Sequence, residues 1–109
     1  MINFYLTRSL KRTEDFYTEL GLTVYMRQAN CIIFQADEGQ LGFVDSPHCV
    51  PPTYSCISFT KDTIEEIDAI YEQYKQYAVT TPQEHPTAPI YSFFMKDPNG
   101  LSVEFQVFI

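Results

Sequence analysis

The chain has 109 residues, of which 45% are hydrophobic and 16% aromatic, and its formal net charge is −7. That length suits one domain around one core, and that composition excludes an intrinsically disordered chain. The acidic balance, with no basic cluster beyond Arg8, Lys11 and Arg12, argues against nucleic acid or an anionic membrane surface as a partner.

No apolar run approaches a membrane span, and the opening MINFYLTRSLKR lacks the apolar region of a secretion signal. Cys31, Cys49 and Cys56 are odd in number and form no C-x-x-C pair. Free thiols in a reducing compartment fit them better than a disulfide framework or a zinc knuckle, so a cytoplasmic protein is expected.

Along the chain, residues 1–7 alternate and read as a strand. Ile2, Phe4 and Leu6 are the expected inward side, and Asn3, Tyr5 and Thr7 the opposite one. Leu10, Thr13, Tyr17 and Leu20 recur at helical spacing, and Gly21 suits the position past a helix end. Short strands follow near 23–28, 31–35 and 41–44, with turns at 28–30 and 36–39. Residues 45–53, with Pro47, Pro51 and Pro52, form a linker.

The second half repeats that order. Residues 54–60 alternate, with Ile57 and Phe59 inward and Cys56, Ser58 and Thr60 opposite. Thr63-Ile64-Glu65-Glu66 is a capping-box pattern opening a helix with Ile64, Ile67, Tyr71 and Tyr74 on one stripe. A strand is expected near 78–81, then a loop holding Pro82, Pro86 and Pro89. The stretch FFMKDPNGLSVEFQ, residues 93–106, reads as a hairpin. Pro98 presets the second turn position and Gly100 takes the left-handed one. Strand-helix-three strands thus occurs twice at a period of about fifty residues, an α+β plan of two βαβββ modules.

RTEDFYTELGL, residues 12–22, resembles the first-helix signature of the glyoxalase/bleomycin-resistance/dioxygenase superfamily, whose members are also called vicinal oxygen chelate proteins. FFMKDPNGLSVEFQ resembles that superfamily's last hairpin, where an Asp-Pro-x-Gly turn leads to a glutamate, here Glu104. The duplicated plan agrees over essentially the whole chain. The resemblance implies two tandem βαβββ modules forming a curved mixed sheet with a concave cup. Module one would cover about 1–45 and module two about 54–109, joined by the linker.

In the family's metal-dependent members, four inward positions on the first and last strands of each module hold a divalent ion. The resemblance puts Glu104 at one of them, with others near Met1, at Cys56 and within 42–45, where only Asp45 could ligate. One glutamate, one aspartate of unfixed register and a cysteine do not make the His and carboxylate set that such an ion wants. A metal-free site is therefore expected, with no cofactor.

The groups expected to line the cup are Asn3, Tyr5, Cys56, Ser58, Ser92, Phe94, Glu104 and Gln106. Pairing across the 97–100 turn sets Phe94 opposite Glu104 and puts Ser92 and Gln106 on the same face. Aromatics with sparse hydrogen-bonding groups suit a small organic molecule. His48 and His85 sit in proline-flanked loops and read as exposed loop residues, and no Gly-rich phosphate loop occurs among four glycines.

The expected function is a metal-free small-molecule binding protein, acting as a homodimer by sequestration or sensing. Two alternatives stay open at this point. One is a lyase or dioxygenase-like enzyme with an unusual metal set that includes Glu104. The other is a dimeric interaction module without a ligand.

Overall fold

Two βαβββ units account for the chain, Met1–Pro51 and Pro52–Ile109. The structure is a computed structural model that describes residues 1–53 and 55–109. Tyr54, the expected start of the fifth strand, lies outside the described residues.

In the first unit, β1 (Ile2–Thr7) leads into α1 (Leu10–Glu19), then β2 (Thr23–Gln28), β3 (Cys31–Ala36) and β4 (Gly39–Asp45). The strand order is β1-β4-β3-β2, with β1 parallel to β4 and the other pairs antiparallel. Ser9 caps α1, its side chain accepting from the Arg12 N–H at 3.2 Å. The other end closes by bonds from Leu22 N–H to the Tyr17 carbonyl and from Gly21 N–H to that of Thr18. Gly21 supplies the positive φ, 99°, that this closure needs.

The buried face of α1 is Thr13, Phe16 and Tyr17. Tyr17 is fully buried, with its ring centroid 4.9 Å from Phe43 and 5.4 Å from Phe34. Burying each such ring stabilises the unit by about 1.5–3 kcal/mol.

The first strand corrects the expected facing. Tyr5 meets Phe43, which packs on Tyr17, and the Thr7 hydroxyl lies 2.8 Å from that of Thr13 on α1. Asn3, Tyr5 and Thr7 therefore share the helix-side face, while Phe4 and Leu6 point away from it and are 54% and 46% exposed. The parallel register decides this. Tyr5 pairs with Phe43 and Phe4 with Gly42, so β1 takes the parity that β4 imposes.

In the second unit, β5 (Cys56–Thr60) leads into α2 (Ile64–Tyr74), then a 3-10 turn at Lys75–Tyr77, β6 (Gln83–Glu84), β7 (Ile90–Lys96) and β8 (Ser102–Phe108). The order is β5-β8-β7-β6, with β5 parallel to β8. Thr63 caps α2, accepting from Glu66 N–H at 3.1 Å, and Glu66 reaches back to the Asp62 N–H. Ile67 and Tyr74 are the buried helix residues, and Tyr71 meets Phe93 edge-on. Ile64, expected on that stripe, is 39% exposed.

The strand expected near 78–81 is replaced by a single bridge, Ala78 to Met95, and the two-residue β6 further on. From Ala78 to Gln83 the chain advances five residues while β7 advances three, from Met95 to Ser92. The surplus bulges out. Thr80 Oγ1 takes the Phe94 N–H at 2.9 Å, and Pro82 has no N–H to give the ladder.

The last hairpin forms as the sequence indicates. Asp97 Oδ1 accepts from Asn99 N–H at 2.8 Å and Leu101 N–H at 2.9 Å, and Gly100, at φ 82°, donates to the Asp97 carbonyl. This turn sets the β7–β8 register and with it the position of Glu104. No helix among the described residues is long and apolar enough to cross a membrane.

Candidate functional site

The site is built on the face of the second sheet that α2 leaves open. Val103, Phe105 and Val107 of β8 are buried with Ile57 and Phe93, so the alternate residues project the other way. Three cross-strand rows result: Cys56–Ser102–Lys96, then Ser58–Glu104–Phe94, then Thr60–Gln106–Ser92. The sequence-expected residues Cys56, Ser58, Ser92, Phe94, Glu104 and Gln106 are thereby gathered on one face. Asn3 and Tyr5, expected with them, belong to the first unit and to its helix-side face.

Glu104, Ser58 and Gln106 form one hydrogen-bonded chain. Ser58 Oγ donates to Glu104 Oε1 at 2.9 Å, and Gln106 Nε2 donates to the same Ser58 Oγ. All three side chains are half-buried. Glu104 Oε2 has no hydrogen-bond partner among the described residues. Gln106 Oε1 is buried with none either.

Lys96 and Ser102 also belong to this face, and sequence reasoning missed them. Lys96 Nζ donates to Ser102 Oγ at 2.8 Å. The signal was available, because Lys96 stands two residues from Phe94 on the same strand and shares its side. Cys56 is exposed, yet its thiol is pushed above the usual range, first by partial loss of water and then by the negative Glu104; the Lys96 charge opposes this. A thiol shifted upward is a poor nucleophile at neutral pH.

The family's divalent ion does not fit this donor set. On this face Glu104 and Cys56 are the metal-ligating side chains. In the first unit, the place that corresponds to Glu104 in the central strand is Gly42, and the place of Ser58 is taken by Phe4. Asp45 pairs with Thr7, in the helix-side parity of β4. Among the described residues no group of three or more His, Cys, Asp or Glu side chains is gathered. His48 and His85 are exposed, and His85 Nδ1 accepts from the Thr87 N–H within its own loop. An open depression of about 500 Å³ in the first unit, lined by Arg8, Asp45, Ser46 and Pro47, has no part in the Glu104 face.

These features have known counterparts. The family model described as "Glyoxalase/Bleomycin resistance protein/Dioxygenase superfamily" matches residues 3–105, and the chain belongs to that superfamily. No curated protein matches the chain in sequence.

Among solved structures, the chain is similar to a glyoxalase/bleomycin resistance protein/dioxygenase from Alicyclobacillus acidocaldarius. The TM-score is 0.85 at 21% identity, covering 100% of this chain and 90% of that one. It is also similar to a lactoylglutathione lyase from Agrobacterium tumefaciens, with TM-score 0.81, 20% identity and coverage of 98% and 91%. A bleomycin-binding protein complexed with bleomycin gives TM-score 0.77 and 19% identity, covering 98% of this chain and 96% of that one. At such identities the likeness establishes the fold, which carries both binding proteins and enzymes.

Proposed function

We propose that this chain is a small-molecule binding protein whose ligand rests on the Glu104 face of the second sheet, held by hydrogen bonds and aromatic contact without a metal ion. The observation that carries this reading is the Gln106–Ser58–Glu104 chain, which ends in two oxygens that the protein leaves unmatched. Of these, Glu104 Oε2 belongs to a half-buried side chain and is the acceptor a ligand can meet, by a charge-assisted hydrogen bond. Phe94, opposite Glu104, adds an aromatic surface, and Glu104 adds the charge. The raised Cys56 thiol favours reversible binding over covalent chemistry. The relative crystallised with bleomycin supports an organic ligand on this fold.

A metal-dependent lyase or dioxygenase is the alternative, and the donor set speaks against it. The two readings separate in a melting experiment. Zn²⁺, Ni²⁺ and Mn²⁺ are expected to leave Tm unchanged, and a saturable rise abolished by Glu104→Ala would overturn the metal-free reading. An organic ligand from a screened set, at a hundred times its Kd, should stabilise the protein by about 2.7 kcal/mol. That gain should disappear in Glu104→Ala. A screen in which no compound raises Tm leaves the interaction-module reading in its place.

A homodimer belongs to the same proposal. Phe4, Leu6 and Met26, 54%, 46% and 42% exposed, leave apolar side chains in water on one face of the first sheet, which association would cover. A monomer mass by light scattering at micromolar concentration would remove this part.

A further inference from the structure

The row that holds Glu104 does not end at Phe94. Ala78 bridges to Met95 of β7, which is fully buried and paired with Val103 on the helix side. The next residue, Val79, takes the opposite parity, that of Phe94 and Glu104. Its N–H donates to the Phe94 carbonyl at 2.8 Å. The Phe94 N–H goes to Thr80 Oγ1 at 2.9 Å, where a regular ladder uses a backbone carbonyl. Both backbone groups of Phe94 thus anchor the bulged segment, and bulges re-aim side chains beside functional sites. The row becomes Ser58–Glu104–Phe94–Val79. Val79 is 56% exposed, an apolar side chain held in water two strand spacings, about 10 Å, from Glu104.

The other directions from Glu104 are less favourable to an apolar body. Phe108, 67% exposed and paired with Ile90, shares the parity of Glu104. It lies four residues along β8, about 13 Å away, with the polar row Thr60–Gln106–Ser92 between them. On the opposite side the next row carries the Lys96 charge. Towards Val79, the Phe94 side chain bridges the gap.

Resting on the binding reading above, we infer that the ligand lies across the strands, with a nitrogen cation at Glu104 and a flat apolar body that passes over Phe94 and ends on Val79. Its chemical class is an aryl-extended amine, about 10 Å from charge to apolar tip. Val79 sets how long a body the site rewards, because covering its methyl groups adds apolar burial that the head of the ligand cannot supply.

The test compares benzylamine with 4-phenylbenzylamine, which keeps the same head and adds a second ring end-on, by amide chemical shifts of the full chain. Both amines should shift Phe94 and Glu104. The longer one alone should shift Val79 and Thr80, and it should bind about tenfold or more tightly. Val79→Ser changes an exposed side chain and leaves the fold intact. It should weaken the longer amine about fivefold and leave benzylamine unchanged. Phe108→Ser should change neither. Equal affinity for the two amines, or a longer amine indifferent to Val79→Ser, overturns the inference and leaves the binding reading standing. The inference falls in the same way if the second ring shifts Ile90 and Phe108 instead, or if Phe108→Ser weakens the longer amine. It falls also if neither amine shifts Glu104 while a screened organic ligand does. A screen that yields no ligand for this face removes both.

Discussion

The two units share one plan and differ on the sheet face turned away from their helices. In the first, the central row is Phe4–Gly42–Ile33, and beside it stands Leu6–Val44–Cys31. In the second, the corresponding rows are Ser58–Glu104–Phe94 and Thr60–Gln106–Ser92. The helix-side faces, by contrast, are interchangeable in kind: Leu41 and Phe43 in β4, Val103 and Phe105 in β8. One face of each sheet answers to folding, and the other is free to diverge. The polar chemistry has been concentrated in the second unit, while Gly42 leaves a space over which the Phe4 ring lies.

The equivalence of the two cores is open to the largest test. Phe43 on β4 and Phe93 on β7 are fully buried, one in each core, and each meets an aromatic ring of its own unit's helix. Replacing either by alanine should cost about 3–5 kcal/mol in urea unfolding. A cost below about 1 kcal/mol at one of them would break the comparison, because that unit would not depend on its core as the other does.

The contrast between the outer faces is tested at Glu104. Glu104→Gln keeps the shape and an acceptor but removes the charge, so the affinity of a cationic ligand should fall by about 1.5–3 kcal/mol. Stability should change by no more than about 0.5 kcal/mol, since the half-buried carboxylate has no cation bonded to it. Severe destabilisation in denaturant would make Glu104 a structural residue and end its binding role.

Gly42 sharpens the same contrast from the other side. A Cβ there would lie 2.4 Å from ring atoms of Phe4. Gly42→Ala should destabilise the protein by about 1 kcal/mol, at the low end for overpacking because the exposed Phe4 ring can swing aside. In a double-mutant cycle Phe4→Ser should relieve most of that cost. Additive effects would show that the ring does not set the constraint.

The smallest effect concerns Tyr91, whose hydroxyl donates to Asp68 Oδ1 at 2.5 Å and ties β7 to α2. That bond, followed by lost hydration and the Asp68 charge, pushes the Tyr91 hydroxyl up to about 12. A folded-state value above the unfolded one of about 10 favours the protonated, folded form. The contribution is full below about pH 10 and disappears as pH rises through about 12. Tyr91→Phe should therefore lose a little stability at neutral pH and show a shallower decline across that window. A wild-type decline unchanged by the substitution would remove Tyr91 as its source.

Much of this was legible in the chain itself, because local chemistry wrote it. Asp97-Pro98-Asn99-Gly100 allows few other backbones, and from that turn outward the alternation of β7 and β8 follows, with Phe94 opposite Glu104. Thr63 and Glu66 likewise announced the start of α2. Alternation separates two sets of side chains but does not say which set meets the helix. On β1 the more apolar set, Ile2, Phe4 and Leu6, was the natural choice for the interior, and it is the other set that packs there. Pairing with β4 decided it, since Leu41 and Phe43 already occupy the helix side and a parallel neighbour shares the parity of its partner. The contact between Ser58 and Glu104, 46 residues apart, has the same origin. Only the parallel register of β5 on β8 brings that hydroxyl to the carboxylate, because no local rule reaches across so much chain.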